Sequence, residues 1–246
     1  MIIFENYFWI LYATAFFAAI ISATIGFVGG TMMLVTMAQF LKMEVLIPIH
    51  ALIQLSSNAT RSWVLRKYIN WVISREAIIG AVLGGIAGYF YLVPIPENWF
   101  NLTIGLFIIL ITILPKFSLS FHFCGKWILI GFFSCSIALF VGAIGTFVGA
   151  ILLGENLDKK SMISTQSSLQ ILIHLAKIIV FSLLGFSLTP WILLAVGAII
   201  CAYLGTLVGT RILNFIPEKT FRTIMTWLVL ILAIRLVATG SMGFYK

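Results

Sequence analysis

A chain of 246 residues with 62% apolar residues, only 9% charged ones and a mean hydropathy of +1.16 lies far outside soluble averages. Those values exclude a soluble globular enzyme and leave one polytopic membrane unit, with room for six to nine crossings of roughly 20 residues each. The net charge of +8 is no sign of nucleic acid, because the basic residues sit at the ends of apolar runs, where they set orientation, and no basic patch has interleaved aromatics.

The opening "MIIFENYFWILYATAFFAAIISATIG" has no basic n-region and is too long for a signal h-region, so it reads as a retained segment over about 8–28. "GFVGGT", residues 26 to 31, interrupts it, and the apolar piece that follows, 31–41, is too short to span. Further apolar stretches run over about 46–65, 76–93, 99–115, 127–148, 161–186, 190–210 and 220–239. "TFVGAILLG", from Thr146 to Gly154, is short like 31–41 and merges with the run before it. Cys124, Cys135 and Cys201 are odd in number and form no C-x-x-C pair, which implies neither a disulfide framework nor a zinc site.

A shift of 116 residues superposes Gly26 on Gly142, Gly29 on Gly145 and Gln54 on Gln170, and a shift of 121 places "IPENWF" (95–100) on "IPEKTF" (216–221). One unit is therefore present twice, over about 8–116 and 126–240, inside a single transmembrane domain spanning 1–246. Basic residues in the loops 66–75, 116–126 and 211–222 assign those loops to the cytoplasm, whereas 94–98 and 186–190 have none. Equivalent loops 66–75 and 186–190 then lie on opposite sides, so the copies are inverted.

Inversion requires an odd net number of crossings per copy. The expected fold is thus an all-α polytopic membrane protein of two inverted repeats, each a Gly-broken re-entrant or hairpin segment plus three transmembrane helices. Glycines permit the reversal, and irregular backbone at membrane depth is tolerated where it lines a cavity or packs in protein. The competing reading is close helix packing through small residues, a spacing that Gly26 and Gly30 also fit.

The helix after each break holds the remaining chemistry. In "PIHALIQLSSNATRSW", His50, Gln54, Ser57 with Asn58, and Arg61 recur every three or four residues and share a face. In "STQSSLQILIHLAKI", Gln166, Gln170, His174 and Lys177 fall on His50, Gln54, Asn58 and Arg61 under the 116 shift. Such side chains are costly in lipid and normally face a cavity or a partner; the plainer alternative is interhelical hydrogen bonding with the cations snorkelling. All seven acids lie at segment ends. A cavity of cations, amides, hydroxyls and helix N-terminal amides suits an anion, with Gly29, Gly30, Thr31, Gly145 and Thr146 at the breaks adding main-chain amides and hydroxyls.

The Gly-rich first segment, the short apolar piece after it, the polar-faced second helix and the duplication resemble the TauE/SafE family, the sulfite exporters, over nearly the whole chain. "GFVGGT" matches that family's glycine break well, "GAIGTFVG" (142–149) is a degenerate version, "STQSS" (164–168) is similar to its second-copy Thr-Ser region, and "IHALIQ" departs from the first-copy pattern. The resemblance implies a permease of the bacterial inner membrane that moves sulfite, a sulfonate or a related small anion by alternating access, without cofactor or metal and compatible with a homodimer. Expelling a monoanion from a negative-inside cell is favoured by about 2.3 kcal/mol per 100 mV, so passive carriage suffices; His50 and His174 are the titratable candidates for proton coupling. An anion channel shares this lining. An intramembrane enzyme would need a nucleophile and base, and no elbow or H-E-x-x-H motif is present.

Overall fold

The computed structural model describes residues 5–25, 28–91, 96–113, 125–142, 144–152, 155 and 157–212, with 227, 230, 231, 233–235 and 237–242 near the C-terminal end. Among them the ordered elements are helical: α1 (Phe8–Ile25), α2 (Val28–Met37), α3 (Met43–Val64), α4 (Trp71–Tyr91), α5 (Glu97–Ile113), α6 (Lys126–Val141), α7 (Gly145–Leu152), α8 (Lys159–Leu183) and α9 (Ile192–Ile212), with single 3-10 turns at Arg66–Tyr68 and Thr189–Trp191. Helix α4, helix α8 and the stretch Thr189–Ile212 are long and apolar enough to cross a membrane, while α1, α2 and α6 are shorter apolar helices.

The packing is that of a protein in lipid, with bulk outside and small residues inside. Helix α4 buries Ser74, Ala77, Gly80, Ala81, Gly84, Gly85 and Gly88 and turns Val72, Ile79, Val82, Ile86 and Phe90 outward. Lipid is as apolar as leucine, so association follows from close backbone approach. A Cβ on Gly84 would stand 2.2 Å from the Phe132 carbonyl oxygen, which seats α4 on α6; a Cβ on Gly205 would stand 2.2 Å from the Phe16 carbonyl oxygen, which seats α9 on α1. One turn on, Gly88 meets Ser136 and Leu139, and Gly209 meets Ile20 and Ala23.

The run expected over 127–148 is two helices. Helix α6 ends at Gly142, whose φ of +82° is a conformation other residues rarely adopt, and α7 starts at Gly145. The corresponding break between α1 and α2 includes Gly26, which lies outside the described residues. Both short helices double back. Beyond the end of α2, the ring of Phe40 stacks on Tyr7 just before α1, with centroids 5.0 Å apart. Beyond α7, Glu155 accepts from Lys126 Nζ, at the start of α6, at 2.5 Å. A ten-residue helix rises about 15 Å, half of a typical hydrocarbon core, so neither short helix is long enough to cross it.

Helices α3 and α8 form the central antiparallel pair. Just after α3 ends, the Asn70 N–H donates to Thr165 Oγ1 near the start of α8 at 2.9 Å, and Lys160 sits over the Tyr68 ring at 5.4 Å. At the other end Met43 and Glu44, opening α3, share a hollow with Phe181 in the last turn of α8 and with Leu184 and Trp191 beyond it. The connections 66–70 and 184–191 thus lie at opposite ends of the pair.

Candidate functional site

At the centre α2 and α7 approach each other across the α3/α8 pair and enclose a small polar cavity. The first half contributes Ser22, Gly30, Thr31, His50, Gln54, Asn58 and Arg61, and the second contributes Ile144, Gly145, Gln166, Gln170 and His174. The space open to the centre of a water molecule is about 20 Å³, enough for about one water. Two larger hollows, about 430 Å³ between α4 and α8 and about 470 Å³ beside Met43 and Trp191, contain no residue of the polar stripe. The chemistry is concentrated in the smallest of the three.

Each break creates two helix ends of opposite polarity, and each is used. The carbonyl-rich C-terminal ends of α1 and α6 receive the buried cations: Arg61 Nη1 donates to the Ser22 carbonyl, and Lys177 Nζ donates to the Gly142 carbonyl. A cation belongs at that end of the helix dipole. The N-terminal ends of α2 and α7, marked by Gly30, Thr31 and Gly145, open onto the cavity, where unpaired N–H groups favour negative charge. At the mouths of those ends His50 Nε2–H donates to the Gly30 carbonyl at 3.0 Å and Gln166 Nε2 donates to the Gly145 carbonyl at 2.7 Å. His50 and Gln166 are related by the 116-residue shift.

Arg61 is fixed further by Nη2 donating to Asn58 Oδ1 at 2.5 Å, and Asn58 Nδ2 donates to the Gln54 carbonyl at 2.7 Å. Yet the wall is not saturated. Thr31 Oγ1, His50 Nδ1, Arg61 Nε, Gln166 Oε1, Gln170 Nε2 and His174 Nδ1 are buried without a hydrogen-bond partner in the protein. Leaving such groups bare in an apolar interior costs about 1–3 kcal/mol each. These atoms converge on one cavity, and among the described residues no carboxylate lines it.

Most residues singled out from the sequence meet here: Gly30, Thr31, His50, Gln54, Asn58, Arg61, Gly145, Gln166, Gln170 and His174 line the cavity. Others do not. Gly29 faces α1, where a Cβ would collide with the Ala18 carbonyl. Ser57 donates to Thr206 Oγ1 of α9 at 2.8 Å, since the Thr206 proton is already directed to the Ala202 carbonyl. Lys177 is wholly buried behind the wall, on Gly142. The side chain of Thr146 lies outside the described residues. Two lining residues escaped the sequence reading: Ser22, whose signal was a small polar residue four before Gly26, and Ile144, which carries none.

The family model described as Sulfite exporter TauE/SafE matches residues 11–236, which covers both halves and every cavity residue. The chain belongs to the TauE/SafE family. No curated protein and no solved structure gave a match. Membership makes this TauE/SafE protein a multi-pass membrane transporter of the sulfite and organosulfonate exporter type, which agrees with its apolar helices.

Proposed function

We propose that this protein carries a small sulfur oxyanion, sulfite or an organosulfonate, across the inner membrane by alternating access, with the cavity between α2 and α7 as the binding site. The observation that carries this reading is the set of unpartnered buried polar atoms from both halves between two helix N-termini. Thr31 Oγ1, Arg61 Nε and Gln170 Nε2 supply donors for anionic oxygens, while Lys177 holds the α6 end in place. Room for about one water is too little for a sulfonate, so the loaded site must be wider than the one described. That favours a carrier with changing shape over an open anion channel.

Two inverted repeats, about 8–116 and 126–240, support the mechanism. The helix pairings exchange between halves as a two-fold relation requires, α1 on α9 matching α6 on α4, with Phe16 and Phe132 separated by the 116 shift and Gly84 and Gly205 by the 121 shift. The opposite placement of 66–70 and 184–191 supports the inversion.

The test is counterflow of radiolabelled sulfite and methanesulfonate in proteoliposomes, a readout indifferent to net charge movement. Saturable exchange that Gln170→Ala and Arg61→Gln abolish is the expected result. Folded protein that exchanges no sulfur oxyanion would end the reading.

A further inference from the structure

Two imidazoles meet on the cavity wall, one from each half. His50 on α3 and His174 on α8 have ring centroids 5.8 Å apart with planes at 69°, and both are buried. Since a carbonyl only accepts, the bond to Gly30 fixes the proton of His50 on Nε2 and leaves Nδ1 as its basic atom. That atom and His174 Nδ1 have no partner in the protein.

The charges around the pair are of one sign. Arg61 on α3 and Lys177 on α8 are buried cations on the two helices that carry the pair, Cys135 on α6 is buried as well, and no carboxylate lines the cavity among the described residues. On α1, α2, α4, α7 and α9 no titratable group is fully buried among the described residues, Tyr12, Glu76 and Cys201 being only half-buried. A negative charge in the cavity attracts a proton to the pair, and a proton there attracts the anion, so each binds more tightly with the other present.

The duplication supplies a control. The 116 shift places Gln166 at the position of His50 and Asn58 at that of His174. An amide therefore fills each site in the opposite half, and the shape of the wall does not demand imidazoles.

Building on the anion-carrier reading, we propose that His50 and His174 form a shared proton site that loads together with the anion, one proton per monoanion, so that the carrier moves a pair of zero net charge. The proton is taken from the aqueous side that delivers the anion, an N–H bond forming as an O–H bond of hydronium breaks, and on the side that receives the anion the N–H bond breaks and the proton returns to water oxygen. Net direction then follows the sum of the anion and proton gradients, and membrane potential drops out.

Methanesulfonate is the discriminating probe, because it is the anion of a strong acid and carries no proton of its own near neutral pH. Proteoliposomes with a trapped pH dye and radiolabelled methanesulfonate report both fluxes. Wild-type protein should acidify the lumen by one proton per anion imported, at a rate that a potassium–valinomycin potential leaves unchanged. The H50Q/H174N variant should lose the acidification, and any flux it retains should respond to the potential. Should the variant fail to fold, wild-type stoichiometry decides alone. Wild-type flux without acidification, or acidification that survives in the variant, overturns the proton site while leaving anion carriage in place. Absence of labelled flux for every anion overturns anion carriage and the proton site together.

Discussion

Arg61 and Lys177, 116 residues apart, do the same thing in opposite halves: each donates to a main-chain carbonyl at the C-terminal end of its own half's broken helix, Ser22 for one and Gly142 for the other. Neither has a carboxylate partner among the described residues. Their first role is to satisfy the carbonyls that a helix break leaves bare.

Lys177→Met is expected to destabilise the protein by about 1–3 kcal/mol, the cost of an unpaired buried carbonyl. Arg61→Met strips partners from both Ser22 and Asn58 and should cost at least as much, while Arg61→Lys keeps one donor and should lose less. Thermal unfolding in detergent checks the order. Two methionine variants that melt with the wild type would show that the carbonyls find other donors.

Glycine substitutions should separate packing from function. Gly84→Ala and Gly205→Ala drive a Cβ into a backbone carbonyl, and helix separation there is expected to cost about 1–3 kcal/mol or more. At Gly30 a Cβ would stand 3.4 Å from Gln54 Oε1, a movable side-chain end on the cavity wall. Gly30→Ala should therefore fold normally and weaken anion exchange. Equal yields of monodisperse protein from all three variants would contradict the packing role.

With the native cysteines removed, single cysteines at Lys67 and Ser187 should react with an impermeant thiol reagent from opposite sides of the membrane. Both positions lie in exposed or half-exposed connections at the two ends of the α3/α8 pair. Labelling of both from one side would contradict the inverted arrangement.

Asp158 caps α8 outside the span, its carboxylate accepting from the Ser161 N–H at 2.8 Å and from Ser161 Oγ at 3.0 Å. The Ser161 N–H holds the Asp158 carboxyl below the usual aspartate range. A carboxyl with a lower folded pKa stabilises the fold above its unfolded value and loses that contribution as pH falls through the folded one. Asp158→Ala should cost about 1 kcal/mol at neutral pH, the ordinary worth of an N-cap, with the difference from wild type vanishing in acid. A pH-independent difference in melting temperature would show that charge plays no part.

Much of the site was legible because duplication doubles the signal: Gln54 and Gln170 are unusual singly and informative as a pair. Helical periodicity was less decisive at the edges of the stripe. Ser57 and Lys177 each follow a cavity residue by three positions, Gln54 and His174, yet one bonds α9 and the other turns to Gly142. Only the neighbouring helix decides which way such a residue faces, and spacing does not encode that neighbour. The break at Gly142 was foreseeable as glycine and hidden as a boundary, because the apolar run continues through it and only the positive φ ends the helix.

The crossed pairing of α1 with α9 and α6 with α4 means that the midpoint of the chain is not a mechanical boundary. Backbones touching at Gly84 and Phe132, and at Gly205 and Phe16, join each half to the other along nearly a whole helix. Bodies divided at the midpoint of the chain would have to break these backbone contacts before they could move apart. A half-length chain would leave its small-residue faces bare, since the helices that cover them lie in the other half.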